Sequence, residues 1–223
     1  MYLLLLSIIP VASVIIYVYH NDMHEKEPIG LLIKMFLLGG IISIIITSIL
    51  YLIADIIIPL NDNYSVFQQF IKAFFIVGLI EEFSKYILVK KYAQNHKAFN
   101  EPYDGIIYAV MVSMGFAATE NIFYVLEGGY QVALLRAFTA IPAHASFAII
   151  MGYFMGKAKF SDQKKWMNLK GLFWAVIFHG AYDFFLFINF IPGISIGAFI
   201  ALILGIYLSK KAIKTHQKNS FFK

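Results

Sequence analysis

Long apolar blocks constrain this chain more than any other feature. The hydrocarbon core of a bilayer is roughly 30 Å thick, which a helix crosses in about 20 residues at about 1.5 Å each. Blocks of that length lie near residues 2–19, 29–53, 67–89, 105–126, 131–156, 171–190 and 193–209. The reading is an all-α, polytopic membrane protein with about seven transmembrane helices. Of the 223 residues only 14% are charged, where a soluble domain carries about 25%. The spans consume nearly the whole chain. Residues 1–223 therefore read as a single transmembrane domain, with a motif-bearing core at about 67–190 and a basic tail at about 210–223.

The first block lacks a basic leader and is followed by no small-x-small cleavage site, so it is expected to be retained as a span. The absence of cysteine excludes disulfides and thiolate metal sites. The lysines alternate between connections. Lys26 and Lys34 flank the first, Lys90, Lys91 and Lys97 the third, Lys157, Lys159, Lys164, Lys165 and Lys170 the fifth, and five more fill Lys210 to Lys223. By the positive-inside rule this predicts an outside N-terminus and a cytoplasmic C-terminus in the cell membrane. It also explains the net charge of +5 without a nucleic-acid partner.

Against that apolar background stand Glu81, Glu82, Lys85, Glu120 and Asp183, together with His144 and His179. A central Asp or Lys costs about 2.5–3.5 kcal/mol to insert, so five such residues approach about 15 kcal/mol before pairing relieves them. Glu81 and Lys85 are four apart with the acid first, the favourable order for an intrahelical pair. Glu82 points about 100° away and reads as having no basic partner on its own helix. His179 and Asp183 are also four apart. That spacing suits an imidazole held by a carboxylate, or two ligands to one metal. His144 follows Pro142 by two residues, and a proline inside a span predicts a kink. Glu120 and Asn121 form the remaining polar pair, counted deeper than the rest. Lys72 and Arg136 fall near the outer ends and are expected to snorkel, with Asp55 interfacial. His20 and His24 fall in a connection of mixed charge and read as solvated surface.

Carboxylates and histidines sequestered from bulk water suit hydrolysis. A glutamate serves as base to a water, and histidines bind a metal or hydrogen-bond an oxyanion. HExxH, GxSG and the YD…GxGD pair are absent from the sequence. EEFSKY, FAATEN, PAHASF and HGAYD, in that order on successive spans between residues 78 and 190, resemble the PrsW family of intramembrane proteases. That family is related to the CAAX prenyl proteases, whose comparable motifs are EExxxR, FxxxH and HxxxN.

The resemblance matches Glu81 and Glu82 to the paired glutamates and Lys85 to the base that follows. It matches Phe116 and Glu120 to the second motif, His144 to the third, and His179 with Asp183 to the last. Glu120 stands where the prenyl proteases carry histidine. The implied catalytic set is Glu81, Glu82, His144, His179 and Glu120, with Lys85, Asn121 and Asp183 orienting groups or stabilising the oxyanion. The implied cofactor is a divalent metal such as zinc at His144, His179 and Glu120, or none if the peptidase is of the glutamate type. The implied partner is a single-pass membrane protein such as an anti-sigma factor, cleaved within a stress response. Two other classes place polar residues in spans: a non-catalytic multispan scaffold and a proton-coupled transporter. The transporter predicts paired repeats with interrupted helices.

Overall fold

The computed structural model describes residues 2–222, and every regular element among them is helical. The chain opens with α1 (Tyr2–Asn21). A continuous rod follows, made of α2 (Ile29–Leu37), a π-helical stretch (Leu38–Ser43) and α3 (Ile44–Ile57). A second composite rod joins α4 (Val66–Ile71), a π stretch (Lys72–Gly78), α5 (Leu79–Leu88) and a last π stretch (Val89–Ala93). Four longer helices complete the fold: α6 (Tyr103–Phe138), α7 (Ala140–Lys159), α8 (Lys164–Phe187) and α9 (Ile196–Lys218). Tyr2–Asn21, Ile29–Ile57, the α6–α7 stretch Tyr103–Lys159 and Ile196–Lys218 are long and apolar enough to cross a membrane. The rods at 66–93 and 164–187 fall short of that apolarity because they carry the ionisable residues.

One boundary differs from those expected. α6 turns at Gly129, whose φ of 69° lies in the region that favours glycine, between the expected blocks 105–126 and 131–156, and its second limb ends at Phe138. α7 begins only at Ala140, after Thr139 leaves helical geometry (φ −123°, ψ −75°). Pro142 therefore occupies the first turn of α7, where no helical hydrogen bond is lost, and the expected mid-span kink is replaced by a helix start.

α6 forms the centre, buried on all sides from Tyr103 to Ala118. Gly105 lies so close to the backbones of Gly152 and Gly156 on α7 that a Cβ at any of the three would overlap the facing chain. Small residues four apart bring helix backbones into contact in this way. The opposite flank of α6 meets the α2–α3 rod just as closely, Gly115 against Phe36 and Gly39 against Val112.

α5 is inside-out relative to a soluble helix. Its polar residues Glu81, Glu82, Ser84 and Lys85 are buried, while Leu79 and Phe83 face outward. Ser84 clips it to the α2–α3 rod, sharing hydrogen bonds with Ser43 Oγ (2.6 Å) and Thr47 Oγ1 (3.0 Å). A Cβ on Gly78 would come within 3.2 Å of Gly180 N and 3.3 Å of Val176 O, so glycine lets the second rod lie directly against α8. One turn further on, that contact places Glu82 opposite His179. The outward faces are apolar, with Ile45, Ile49, Leu52 and Ile56 on α3 and Ile200, Ile203, Leu204 and Tyr207 on α9. Faces of this extent need lipid rather than water.

Candidate functional site

Four helices converge on one polar cluster. From α5, the Lys85 ammonium donates to Glu82 Oε1 at 2.7 Å and to Glu81 Oε2 at 3.3 Å, and Lys85 is wholly buried. The expectation that Glu82 has no basic partner on its own helix is therefore corrected. The i,i+3 arm reaches it more closely than the i,i+4 arm reaches Glu81. Lys85 also lies 4.2 Å from the centre of the Phe116 ring on α6, a cation–π contact in a dry setting.

α8 brings His179 to this pair. Its Nδ1 is 2.9 Å from Glu82 Oε1, and its Nε2 is 3.3 Å from Asp183 Oδ2 and 4.0 Å from Glu81 Oε2. With carboxylate oxygens at both ring nitrogens, His179 is placed to donate from each, as an imidazolium does. Phe147 of α7 stacks on its ring at 5.0 Å and fixes the ring plane.

α7 supplies His144. Its Nδ1 lies 3.4 Å from the Lys85 ammonium and accepts, leaving Nε2 to donate to Glu120 Oε2 at 3.0 Å. The two imidazoles meet edge to face at 5.3 Å. Glu120, counted as deeper than the others, thus joins the cluster through His144. It does so because α7 starts late, leaving His144 within two turns of the same end of the bundle.

Three roles were not visible in sequence. Arg136, expected to snorkel, turns inward where the chain bends at Gly129. It donates to Glu120 Oε2 at 2.7 Å and to Asn121 Oδ1 at 2.8 Å. Asn121 spends its amide on the carbonyl of Ser7 at 2.9 Å and touches neither histidine. Tyr51, one tyrosine in an apolar block with no periodic signal, donates to Glu81 Oε1 at 2.8 Å. Lys72 is exposed on its own helix but lines the cavity described next, and Asp55 is exposed as expected.

A cavity of about 490 Å³ opens against the cluster. Glu81, Glu120, His144, His179, Asp183 and Arg136 line it, together with Tyr51, Phe147 and Tyr182. Glu82 does not; it sits behind, wholly buried, with Oε2 lacking any hydrogen-bond partner. One ligand atom from each of Glu81, Glu82, His144 and His179 lies within 4.8 Å of the others, a buried group that can hold a metal ion. Glu120 stands one step outside that group, engaged by Arg136 and by the far nitrogen of His144.

This constellation has relatives. Residues 27–209 match the model of the PrsW family intramembrane metalloproteases. The chain is 40% identical over 181 residues to the Protease PrsW of Oceanobacillus iheyensis, covering 81% of this chain and 80% of that one. It is 37% identical to that of Geobacillus kaustophilus over 81% and 77% of the two chains. With that of Clostridioides difficile it shares 35% identity over 99% and 94%. No solved structure matches. A multi-pass helical chain with a buried carboxylate–histidine cluster, matched along most of its length in this way, is an intramembrane peptidase and belongs to the PrsW family of intramembrane metalloproteases.

Proposed function

We propose that residues 1–223 act as one transmembrane peptidase unit that cleaves a membrane-anchored regulatory protein of the anti-sigma-factor class, with Glu81 as the base that activates water. The observation that carries the reading is the shared cavity. Glu81, His144, His179 and Asp183 all face it, and Glu82 does not. Glu81 takes a proton from water as that water adds to the peptide carbonyl, and returns it to the departing amine. Tyr51 and Lys85 hold its carboxylate in place through one hydrogen bond each. Glu82 and Asp183 hold the His179 ring between them, so that its N–H groups and positive charge stand beside the carbonyl oxygen as it becomes an oxyanion. Glu120, itself anchored by Arg136, sets the tautomer and plane of His144.

The residues present fit a divalent metal. Two imidazoles and two carboxylates make the donor set that zinc accepts, and Glu82 Oε2, the oxygen not engaged by Lys85, is buried with no hydrogen-bond partner. Glu81, Glu82, His144 and His179 are the residues that would hold it, His179 then giving up one proton to become neutral and offer one nitrogen, with Glu120 supporting His144. When bound there, such an ion supplies Lewis acidity toward the carbonyl and lowers the pKa of water.

The test is cleavage of a single-pass anti-sigma-factor-like protein by the purified peptidase in liposomes, beside His179→Ala and a chelator-treated sample. The wild type is expected to cut, with activity lost in the variant, lost on chelation and restored by zinc. A folded wild type that cuts none of several such substrates would overturn the substrate assignment. Chelation without effect would remove the metal.

A further inference from the structure

A second polar cluster lies at the end of the molecule where the α1–α2 and α5–α6 connections meet, away from the cavity. Asp22 and Glu27 come from the first connection, Glu101 from the second, and Asp104 from the first turn of α6. All four are buried, with Asp22 and Glu101 each only 1% exposed. Glu25 and Asn100 flank them. Asp22 is directly exposed to the charges of Lys26, Glu101, Asp104 and Glu25, and Glu27 to those of Asp22 and Glu25. Among the described residues, eight buried side-chain atoms lack a hydrogen-bond partner, and six of them are oxygens of this one patch. They are both Asp22 oxygens, Glu25 Oε2, Asn100 Oδ1, Glu101 Oε2 and Asp104 Oδ1.

The neighbouring donors are committed elsewhere. Lys26 bonds the carbonyls of Tyr19 and Asp22, so it caps α1 instead of meeting a carboxylate. Lys159 donates to the carbonyl of Gln94 at 2.6 Å. Tyr108 donates to Glu27 Oε2, and the amides of Asn100 and Glu101 both donate to Asp104 Oδ2. Asp22 receives nothing: its carboxylate is buried, aimed among other acids, and unpartnered on both oxygens. Unpaired buried carboxylates cost several kcal/mol each. Five acids against two lysines call for protons or for a cation, and to a cation the patch offers an all-oxygen donor set.

We propose that this patch is a structural binding site for a hard divalent cation of the calcium or magnesium class, held by Asp22, Glu101 and Asp104 with Glu25 and Asn100 at its rim. Hard cations take all-oxygen donor sets of carboxylates and amide carbonyls, whereas this patch offers zinc no nitrogen or sulfur. Its ligands come from the first connection and, about 80 residues on, from the second connection and the first turn of α6, so the ion pins the start of α6 to the end of α1. Binding draws the donors inward from their present spacing and leaves the peptidase cavity untouched.

The experiment uses the purified full chain in detergent, dialysed against chelator, with Ca²⁺ or Mg²⁺ then titrated in. Binding of one ion per chain is expected by calorimetry. The unfolding midpoint should rise by about 5–10 °C at a hundredfold excess over Kd. Asp22→Asn and Glu101→Gln should each weaken binding by at least about tenfold. In chelator, Asp22→Asn should melt above the wild type, because it removes an unpaired charge. A Glu81→Gln/His179→Ala protein, stripped of the other cluster, should respond to the cation as the wild type does. Absence of binding at several millimolar of either ion would overturn the proposal, as would an unchanged response in both acidic-patch variants. Loss of the response in the Glu81→Gln/His179→Ala protein would assign it to the peptidase site instead.

Discussion

Replacing Lys85 by methionine tests how the peptidase cluster survives in lipid. Lys85 is wholly buried, 2.7 Å from Glu82 and 3.3 Å from Glu81. At an effective dielectric of about 20, those distances correspond to attractions of about 6 and about 5 kcal/mol. Desolvation of the three ions, several kcal/mol each, offsets most of this. Methionine keeps the volume and the contact with Phe116 but leaves two carboxylates without their cation. The expected net loss is about 3–5 kcal/mol, the usual cost of breaking a buried pair from one side. At about 2–4 °C per kcal/mol the unfolding midpoint falls by about 6–20 °C. Trp166 and Trp174, in the helix α8 that carries His179, report the transition by fluorescence. The double variant Glu82→Gln/Lys85→Met removes one charge of each sign, so it should recover at least half of the loss, a coupling of about 2 kcal/mol or more. A Lys85→Met protein melting within 2 °C of the wild type would refute the reasoning. So would a double variant less stable than the single.

Three further outcomes follow from the geometry. Gly78→Ala puts a methyl group within 3.2 Å of Gly180 N, separating α5 from α8 by a few tenths of an ångström. Cleavage should fall by about tenfold or more with little change in membrane insertion, since about 1 Å of misplacement costs about 10²-fold. Arg136→Lys keeps a charge but loses the two-point hold on Glu120 and Asn121, so activity should drop by about 10–100-fold, read from kcat in the cleavage assay. In chelator, burial raises the carboxyl of Asp22 from 3.8 to about 7, reinforced by Glu101, Asp104 and Glu25 and opposed by Lys26. Burial likewise raises Glu27 from 4.5 to about 7 against its bond from Tyr108. The folded chain then holds more protons than the unfolded one between about pH 4 and pH 7, so stability declines as pH rises through that window. Unfolding midpoints at pH 5 and pH 8 should differ more in the wild type than in Asp22→Asn.

Much of this was legible in the chain because lipid simplifies the code. A block of about 20 apolar residues has few other uses, and an ionisable residue inside one stands out against its cost. Thus Glu81, Glu82, Lys85, His144, His179 and Asp183 could be picked out one by one. What sequence hid was how the helices meet. Whether Lys85 prefers Glu82 over Glu81 depends on a side-chain arm that i,i+3 and i,i+4 spacings both allow. Arg136 turns inward because Gly129 takes a positive φ, and nothing local distinguishes that glycine from Gly128. Tyr51 and Phe147 act through contacts 30 or so residues away in the chain. The acidic patch went unremarked for the same reason. Asp22, Glu27, Glu101 and Asp104 look like ordinary surface charges in two short connections and a helix start until the fold buries them together.

The most direct test of the central claim, that Glu81 faces the water and Glu82 stands behind it, is a single-turnover comparison of Glu81→Gln and Glu82→Gln on one substrate in liposomes. Glu81→Gln, which keeps the hydrogen bond from Tyr51 and weakens only the longer Lys85 contact, should lose less stability than Glu82→Gln and lose cleavage by about 10²–10⁴-fold, the contribution of a general base. Glu82→Gln, which strips a wholly buried carboxylate from Lys85 and His179, should lower the unfolding midpoint and retain more cleavage than Glu81→Gln at temperatures where it is folded. A Glu81→Gln protein that cleaves at the wild-type rate, with Glu82→Gln folded and inactive, would contradict the assignment.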